Sequence, residues 1–343
     1  MNKEKEAVLK QLQTWTNNIP LIVLGSGASV PFKLPSMWTL GDFLKSSISF
    51  VDSDDQAQFE KFKDEFDKTG DLETTLTKLQ LRTNVLAEIV DKTWELVNKS
   101  DLKAYEKFIN KEIEFPLAEL LKYFLDTAGK KVSIITTNYD RLAEYATSLA
   151  KAIVCSGYAQ SHIGHFSNNI QSNNLASLNG YKGQVNIWKV HGSLDWFKSN
   201  EDENIQLPLR QSIPKDYRPL IVTPGLSKYS ETHNEPYRTI FTQADSEIEN
   251  ANGFLCIGYG FNDTHVQPKL IEQIKNNKPI IVITKELTEK TKQSIIDNKC
   301  QKYLLIEEAN SKDTKIYSSK FGEFVIEDTS YWELGEYLKL IIS

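Results

Sequence analysis

Apolar residues along this chain switch between two spacings. Over 3–17, Ala7, Val8, Leu12 and Trp15 recur near helical spacing and predict an opening helix. The run PLIVL (20–24) is continuous, apolar and followed by glycines, the pattern of a strand buried on both faces. From about 38 to 126 the spacing is three to four, in Phe43/Leu44/Ile48, Leu72/Leu76/Leu79, Leu86/Ile89/Trp94/Leu96 and Leu117/Leu120/Leu121/Phe124. This stretch predicts a helical block, with Pro116 placed in a first turn where its missing N–H does no harm. After Gly129 short apolar runs return: VSIITT (132–137), AIVC (152–155), VNIWKV (185–190), PLIVT (219–223), FLCIG (254–258) and PIIVIT (279–284). The first, fifth and sixth lead into helical patterns at 140–151, 263–275 and 286–298. A hairpin near 315–327, turning at Gly322, and a helix over 330–342 close the chain. Strands alternating with helices, β-branched and without polar alternation, predict an α/β fold: a Rossmann-like, mostly parallel sheet with helices on both faces, plus a helical insertion. Residues 156–184 and 198–217 are rich in Ser, Asn, Gly, Pro and acidic residues and read as long irregular loops, of the kind that serve as lids.

Composition narrows the picture little. The 343 residues are 25% charged and 40% hydrophobic, an ordinary globular mixture that excludes a disordered or fibrous chain. At about 150 residues per domain, one large unit or two modest ones are expected. The division predicted is 1–40 with 127–343 as one unit and 41–126 as the inserted helical subdomain. A net charge of −6 argues against direct sequence-specific nucleic acid binding. No apolar run approaches the roughly 20 residues of a bilayer span, so no membrane partner is expected. Three isolated cysteines, Cys155, Cys256 and Cys300, make neither a disulfide framework nor paired thiolate ligands. A reduced, cytoplasmic chain without zinc is the expectation.

Four clusters can carry chemistry, each at the end of an apolar strand, and each has a bland reading beside it. Gly25-Ser26-Gly27-Ala28-Ser29 follows the first strand; it is either a tight turn or a loop whose small residues let backbone N–H groups approach a diphosphate. Val30 occupies the third glycine position of the dehydrogenase fingerprint, no ribose-binding acid follows, and there is no phosphate-binding Gly-Lys-Ser/Thr, so hydride transfer is not implied. Thr136-Thr137-Asn138-Tyr139-Asp140 ends the strand at 132–137, where Asn138 or Asp140 is either a helix cap or a ligand contact. Val190-His191-Gly192-Ser193 supplies an imidazole, either a general base or a satisfied structural residue. Gly258-Tyr259-Gly260-Phe261-Asn262-Asp263 opens a helix and either binds an anion or caps that helix through Asp263. His162 and His165 have no adjacent carboxylate to complete a metal site, and Trp196-Phe197 reads as core or pocket wall.

Taken in order, GSGAS, TTNYD, VHGS and a late glycine-rich turn resemble the sirtuin family, with its G-A-G-[IV]-S loop, T-Q-N-x-D segment and H-G dipeptide. The match covers about 19–41 and 130–285. Its wording, V-H-G-S-x-x-W and G-Y-G-F-x-D, is that of divergent bacterial sirtuin-like proteins, many of which look like NAD hydrolases of antiphage defence. The resemblance implies NAD as substrate. Gly25, Ser26, Gly27, Ala28 and Ser29 would cradle its pyrophosphate, with Thr137 beside them. Asn138 would orient the nicotinamide ribose or attacking water, Asp140 would hold the carboxamide, and His191 would be the base on the ribose hydroxyls. Gly258, Tyr259 and Asn262 would line the diphosphate and adenosine side, and Thr284 the adenine ribose. It further implies a homo-oligomer or a second protein, such as a HerA-type ATPase, as the gate on activity. The departures are specific: the paired C-x-x-C zinc ligands of sirtuin deacylases are missing, Leu34-Pro35-Ser36-Met37-Trp38 stands where G-I-P-D-F-R would be, and Thr137 replaces Gln. NAD hydrolysis to nicotinamide and ADP-ribose is therefore expected ahead of NAD-dependent protein deacylation or a non-catalytic nucleotide sensor.

Overall fold

The computed structural model describes residues 3–126, 130–159, 161–168, 180–222, 234–263 and 266–342. Thirteen strands are formed among them: β1 (Leu21–Leu24), β2 (Lys131–Thr136), β3 (Ile153–Cys155), β4 (Gly164–His165), β5 (Gln184–Lys189), β6 (Gly192–Ser199), β7 (Asn204–Gln206), β8 (Tyr217–Ile221), β9 (Phe254–Ile257), β10 (Ile280–Ile283), β11 (Tyr303–Asn310), β12 (Asp313–Ser318) and β13 (Gly322–Ile326). The helices are α1 (Lys3–Asn17), α2 (Met37–Ser47), α3 (Ser53–Thr69), α4 (Leu72–Lys78), α5 (Thr83–Ile109), α6 (Pro116–Asp126), α7 (Leu142–Leu149), α8 (Tyr237–Asn250), α9 (Val266–Lys275), α10 (Glu289–Lys292) and α11 (Leu334–Ile342).

Nine strands form one sheet in the order β13-β12-β11-β10-β9-β1-β2-β5-β3. From β11 through β3 every neighbouring pair is parallel; only the β11–β12 and β12–β13 pairs are antiparallel. Side chains of a strand alternate between faces, and here the alternation sorts residues into two apolar layers. Ile22, Leu24, Val132, Ile134, Val185 and Ile187 pack with α1, α5, α6 and α7 on one face. Leu21, Val23, Ile135, Trp188 and Val190 pack with α8 and α9 on the other. Both faces are thus covered, as a sheet of continuous apolar strands requires. The protein is an α/β fold with a large, mostly parallel, Rossmann-like sheet.

A third apolar cluster gathers Leu40 and Leu44 of α2, Phe59, Phe62 and Phe66 of α3, Leu72 and Leu76 of α4, and Val85 and Ile89 at the start of α5. Farther along α5, Trp94, Val97, Ala104 and Phe108 join the core of the large sheet, as do the apolar residues of α6. One helix of 27 residues therefore ties the helical cluster to the sheet.

Three readings of the pattern are corrected. PLIVT (219–223) does not join the large sheet: β8 lies in a separate four-stranded antiparallel sheet, β4-β7-β6-β8, and Thr223 lies outside the described residues. The stretch 198–217, read as irregular, supplies the end of β6, all of β7 and the start of β8. The helix expected over 286–298 is one α-turn, α10, followed by a π-turn over Gln293–Asp297. Strand β11 was not anticipated; it continues the sheet beyond β10 and carries the expected hairpin. Of the supposed loop 156–184, residue 160 and residues 169–179 lie outside the described residues, as does His265. No helix among the described residues is long and apolar enough to cross a membrane.

Candidate functional site

Because β1, β2, β5, β9 and β10 run parallel, the segments that follow them emerge at one edge of the sheet, where open α/β sheets bind ligands. Two cavities open there. The smaller, about 200 Å³, is lined by Gly25, Ser26, Thr137, His191, Tyr259 and Asn262, among others, with Leu34, Pro35 and Met37 on its apolar side. The larger, about 720 Å³, is lined by Gly27, Ala28, Gly258 and Thr284, and by the aromatic rings of Phe32, Phe115 and Trp332. Ser29, Asn138 and Asp140 line both. Every candidate residue of the four motifs, and Thr284, thus faces one cavity or the other.

The glycine loop after β1 is locked to the turn after β9, backbone on backbone. Gly25 N–H donates to Ile257 O (3.1 Å) and Gly27 N–H to Gly258 O (3.0 Å). A Cβ on Gly258 would sit 2.2 Å from Ala28 N, and Gly258 has φ +56°, so only glycine fits without strain. Ala28 N–H and Ser29 N–H close a 3₁₀ turn onto Gly25 O and Ser26 O. The glycines therefore do structural work as well as leaving space: four N–H groups of the loop are already donated within the protein. Thr137 and Thr284 join this frame by backbone bonds to Leu24 O (3.4 Å) and Ile306 O (3.1 Å), and the Thr284 hydroxyl donates to Glu286 O (3.2 Å).

The turn after β2 is held by side chains instead. Asn138 Nδ2 donates to Gly25 O (2.9 Å) and Ser29 Oγ (3.0 Å), and Ser29 Oγ donates to Asp140 Oδ2 (2.6 Å). Asp140 Oδ1 accepts from Leu142 N–H (3.2 Å), a local bond two residues along at the start of α7, whose N-cap position is Arg141. Beneath it, the ammonium of Lys189, at the end of β5 and 0% exposed, donates to Asp140 O and lies 3.2 Å from Glu144 Oε1 on α7. Burial pushes the Asp140 carboxyl above its ordinary range, against the pull of Lys189 and Ser29. Burial likewise pushes Glu144 up to about 7, opposed by Lys189. Next along the chain, Arg141 is clamped by Asp101 of α5, with Nη2 2.6 Å from Oδ2 and the backbone N–H 2.7 Å from Oδ1; Tyr145 Oη (2.5 Å) donates to the same carboxylate.

His191 follows β5, and Gly192 after it has φ +86°, with Leu220 O only 1.9 Å from where a Cβ would stand. That close approach of β8 bends the chain so that His191 faces the smaller cavity. His191 Nε2 lies 2.8 Å from Asp263 Oδ2, while Asp263 Oδ1 accepts the N–H of Val266 (2.8 Å) at the start of α9. Asp263 therefore caps the start of α9 through one oxygen, as the capping reading expects, and its other oxygen lies against the imidazole.

Lys189, Glu144, Arg141 and Asp101 escaped the reading of the sequence. For Lys189 a signal existed: a lysine inside VNIWKV, an otherwise apolar strand, is seldom buried unless paired. His165 lies in β4 and His162 is exposed. Among the described residues no three His, Cys, Asp or Glu side chains gather to hold a metal ion.

Among solved structures, the chain is similar to a mutant Sir2 homologue in complex with ADP-ribose, at 17% identity over 85% of this chain and 88% of that one (TM-score 0.45). It is also similar to a Sir2 homologue in complex with NAD, at 15% identity over 88% and 87% (TM-score 0.41). No curated protein matches it. The model of the SIR2-like domain matches residues 132–312, more than half of the chain. That span runs from the second parallel strand to the bend between β11 and β12, and takes in three of the four motifs; the chain belongs to the SIR2-like domain family.

Proposed function

We propose that this protein is an NAD+ glycohydrolase, releasing nicotinamide and ADP-ribose, and that it serves as an effector of bacterial antiphage defence. The observation that carries the reading is the convergence of Asn138, Asp140 and His191 on one cavity at the carboxyl edge of the sheet, beside the Gly25–Ser29 loop. The volume divides suitably. The larger cavity, with Gly27, Gly258 and Thr284, takes the adenosine and diphosphate; the shared wall of Ser29, Asn138 and Asp140 meets the nicotinamide end.

Breaking the nicotinamide–ribose bond passes through an oxocarbenium-like state, as glycoside cleavage does. The base leaves neutral, so no strong acid is needed. Asp140 accepts from the carboxamide and fixes the ring's angle. Asn138 exchanges a bond to Ser29 or Gly25 for one to the ribose or the incoming water. His191, held by Asp263, takes the proton of a ribose hydroxyl and lends electron density to the sugar. A well-aimed polar group of this kind is worth on the order of 10²–10³ in kcat. Loss of NAD+ harms the cell that holds the enzyme, so turnover is gated by self-assembly or by a second protein.

Incubation of the purified protein with NAD+ alone, followed by separation of nicotinamide, ADP-ribose and cyclic products, tests the reading. Nicotinamide and ADP-ribose without any acylated peptide are expected, with Asn138→Ala slower by about 10²-fold or more. Turnover only with an acyl-lysine peptide would assign deacylation, for which the apolar side of the smaller cavity leaves room. Binding without turnover would leave a sensor. Turnover rising more than linearly with protein concentration would mark self-assembly as the gate.

A further inference from the structure

We propose that Lys189 is a positioning residue of this site: its ammonium, fixed between the Asp140 carbonyl and the Glu144 carboxylate, holds Asp140 in place at the cavity wall and favours the charged form of its carboxyl. The inference rests on the NAD reading for the identity of the ligand at that wall, but its electrostatic content does not.

Period-two alternation along β5 puts Val185, Ile187 and Lys189 on the face that packs against α7. Two of the three are apolar core. The third is a cation with no exposed surface. Removing an ammonium from water costs several kcal/mol, and a buried pair seldom returns more than a well-packed apolar residue would. Packing alone therefore does not account for lysine at 189, whereas its neighbour does. Asp140 is itself buried, and among the described residues its carboxylate receives two hydrogen bonds, from Ser29 and Leu142. Without a nearby cation, a carboxyl so placed takes up a proton and ceases to be an acceptor on both oxygens. The ionised form offers both oxygens as strong acceptors, enough for Ser29, Leu142 and a carboxamide N–H₂ together, whereas the protonated form gives up one of those sites to a donor.

The charges around this group come from every element packed on it. Lys189 belongs to β5, Glu144 and Arg141 to α7 and the turn before it, Asp101 to α5, and Asp195 to β6. Asp101 acts on Asp140 with the opposite sign to Lys189, and is itself paired with Arg141. Asp195 acts on Glu144 in the direction that favours its proton. Glu144 thus holds Lys189 in place yet is easily protonated itself, leaving the lysine's charge to act on Asp140. The N–H···O bond of Lys189 to the carbonyl of Asp140 fixes the backbone of the same residue whose side chain it polarises.

The experiment follows the Asp140 carboxyl by ¹³C NMR in the full-length chain labelled at aspartate carboxyls, with Asp140→Asn to assign the signal. Lys189→Met alone leaves Glu144 buried without its partner and can fail to fold; Lys189→Met with Glu144→Gln removes both charges, and thermal unfolding confirms that it folds. In that double variant the Asp140 signal should titrate about one pH unit or more higher than in the parent. In Glu144→Gln alone it should titrate lower, because the lysine's charge is no longer shared. The acid limb of the pH–rate profile for nicotinamide release should move in the same two directions, with KM for NAD+ rising in the double variant. An Asp140 titration unmoved in both variants would overturn the proposal. Shifted titrations in a protein that never cleaves NAD+ would uphold the role of Lys189 and overturn the NAD reading instead.

Discussion

The two walls of the cavity are made in opposite ways. The Gly25–Ser29 loop and the turn at Gly258 interlock through backbone atoms, with no room for a Cβ and no charge taking part. The turn from Thr137 to Arg141 is held by buried ionisable side chains: Lys189 and Glu144 behind Asp140, and Asp101 around Arg141. A surface meant to accept a diphosphate gains from a rigid, uncharged floor that demands no reorganisation. A surface meant to bind and orient a polar ring needs acceptors whose charge state is set from behind. One wall should therefore respond to shape and be indifferent to pH, and the other should respond to both.

The largest effect is expected on the charged wall. Asp101→Ala removes a carboxylate that takes three bonds from Arg141 and one from Tyr145, and leaves the buried guanidinium with Asn98 Oδ1 as its remaining hydrogen-bond partner among the described residues. Breaking such a pair costs about 3–5 kcal/mol, because a charge stays behind uncompensated. Replacing both partners together, Asp101→Leu with Arg141→Met, should recover most of that loss, since the expensive desolvation disappears too. Urea unfolding of the single and double variants closes the cycle. A single variant within about 1 kcal/mol of the parent would mean that the pair does not hold the turn.

On the backbone wall, Gly258→Ala should cost about 2–4 kcal/mol, combining a left-handed alanine with a clash that no side chain can relieve. The atoms in the way are Ala28 N and the backbone of Gly27, so either the loop shifts or the turn does. Binding of ADP-ribose, measured by calorimetry, should weaken along with stability. Tight binding in a destabilised variant would separate the floor from the ligand.

How much of this was legible depended on range. The strand runs and their glycine-rich ends were plain, because a buried parallel strand leaves a continuous apolar word such as PLIVL or PIIVIT in the sequence. The gathering of GSGAS, TTNYD, VHGS and GYGFND at one edge follows from parallel topology. Strand β11 was missed because its apolar half, YLLI, gives way to Glu307 and Glu308, one of which is spent inside: Glu307 accepts from Leu287 N–H and Tyr317 Oη. The small antiparallel sheet was missed because β7 has only three residues and β6 is buried along six of its eight, so neither alternates. Asp101 and Arg141 stand forty positions apart, and no spacing rule connects them. Lys189 is visible in the sequence as one charge in the apolar word VNIWKV, but its partners Asp140 and Glu144 are not.

The smallest effect separates the two walls most cleanly, because it is a slope and not an offset. Glu144 has a folded-state pKa near 7, raised chiefly by burial from an ordinary 4.5. Between those values the folded chain binds a proton that the unfolded chain releases. The stability that Glu144 contributes is therefore complete below about pH 4.5 and is lost as the pH rises through about 7. Glu144→Gln should consequently lose less stability than the parent between pH 5 and pH 8, in urea titrations run at a series of pH values. Gly258→Ala should give a curve lowered by the same amount at every pH, since no proton is bound or released where backbone meets backbone. Were the glycine variant to change the slope, or the Glu144 variant to leave it intact, the division into an uncharged floor and a charge-set wall would be wrong.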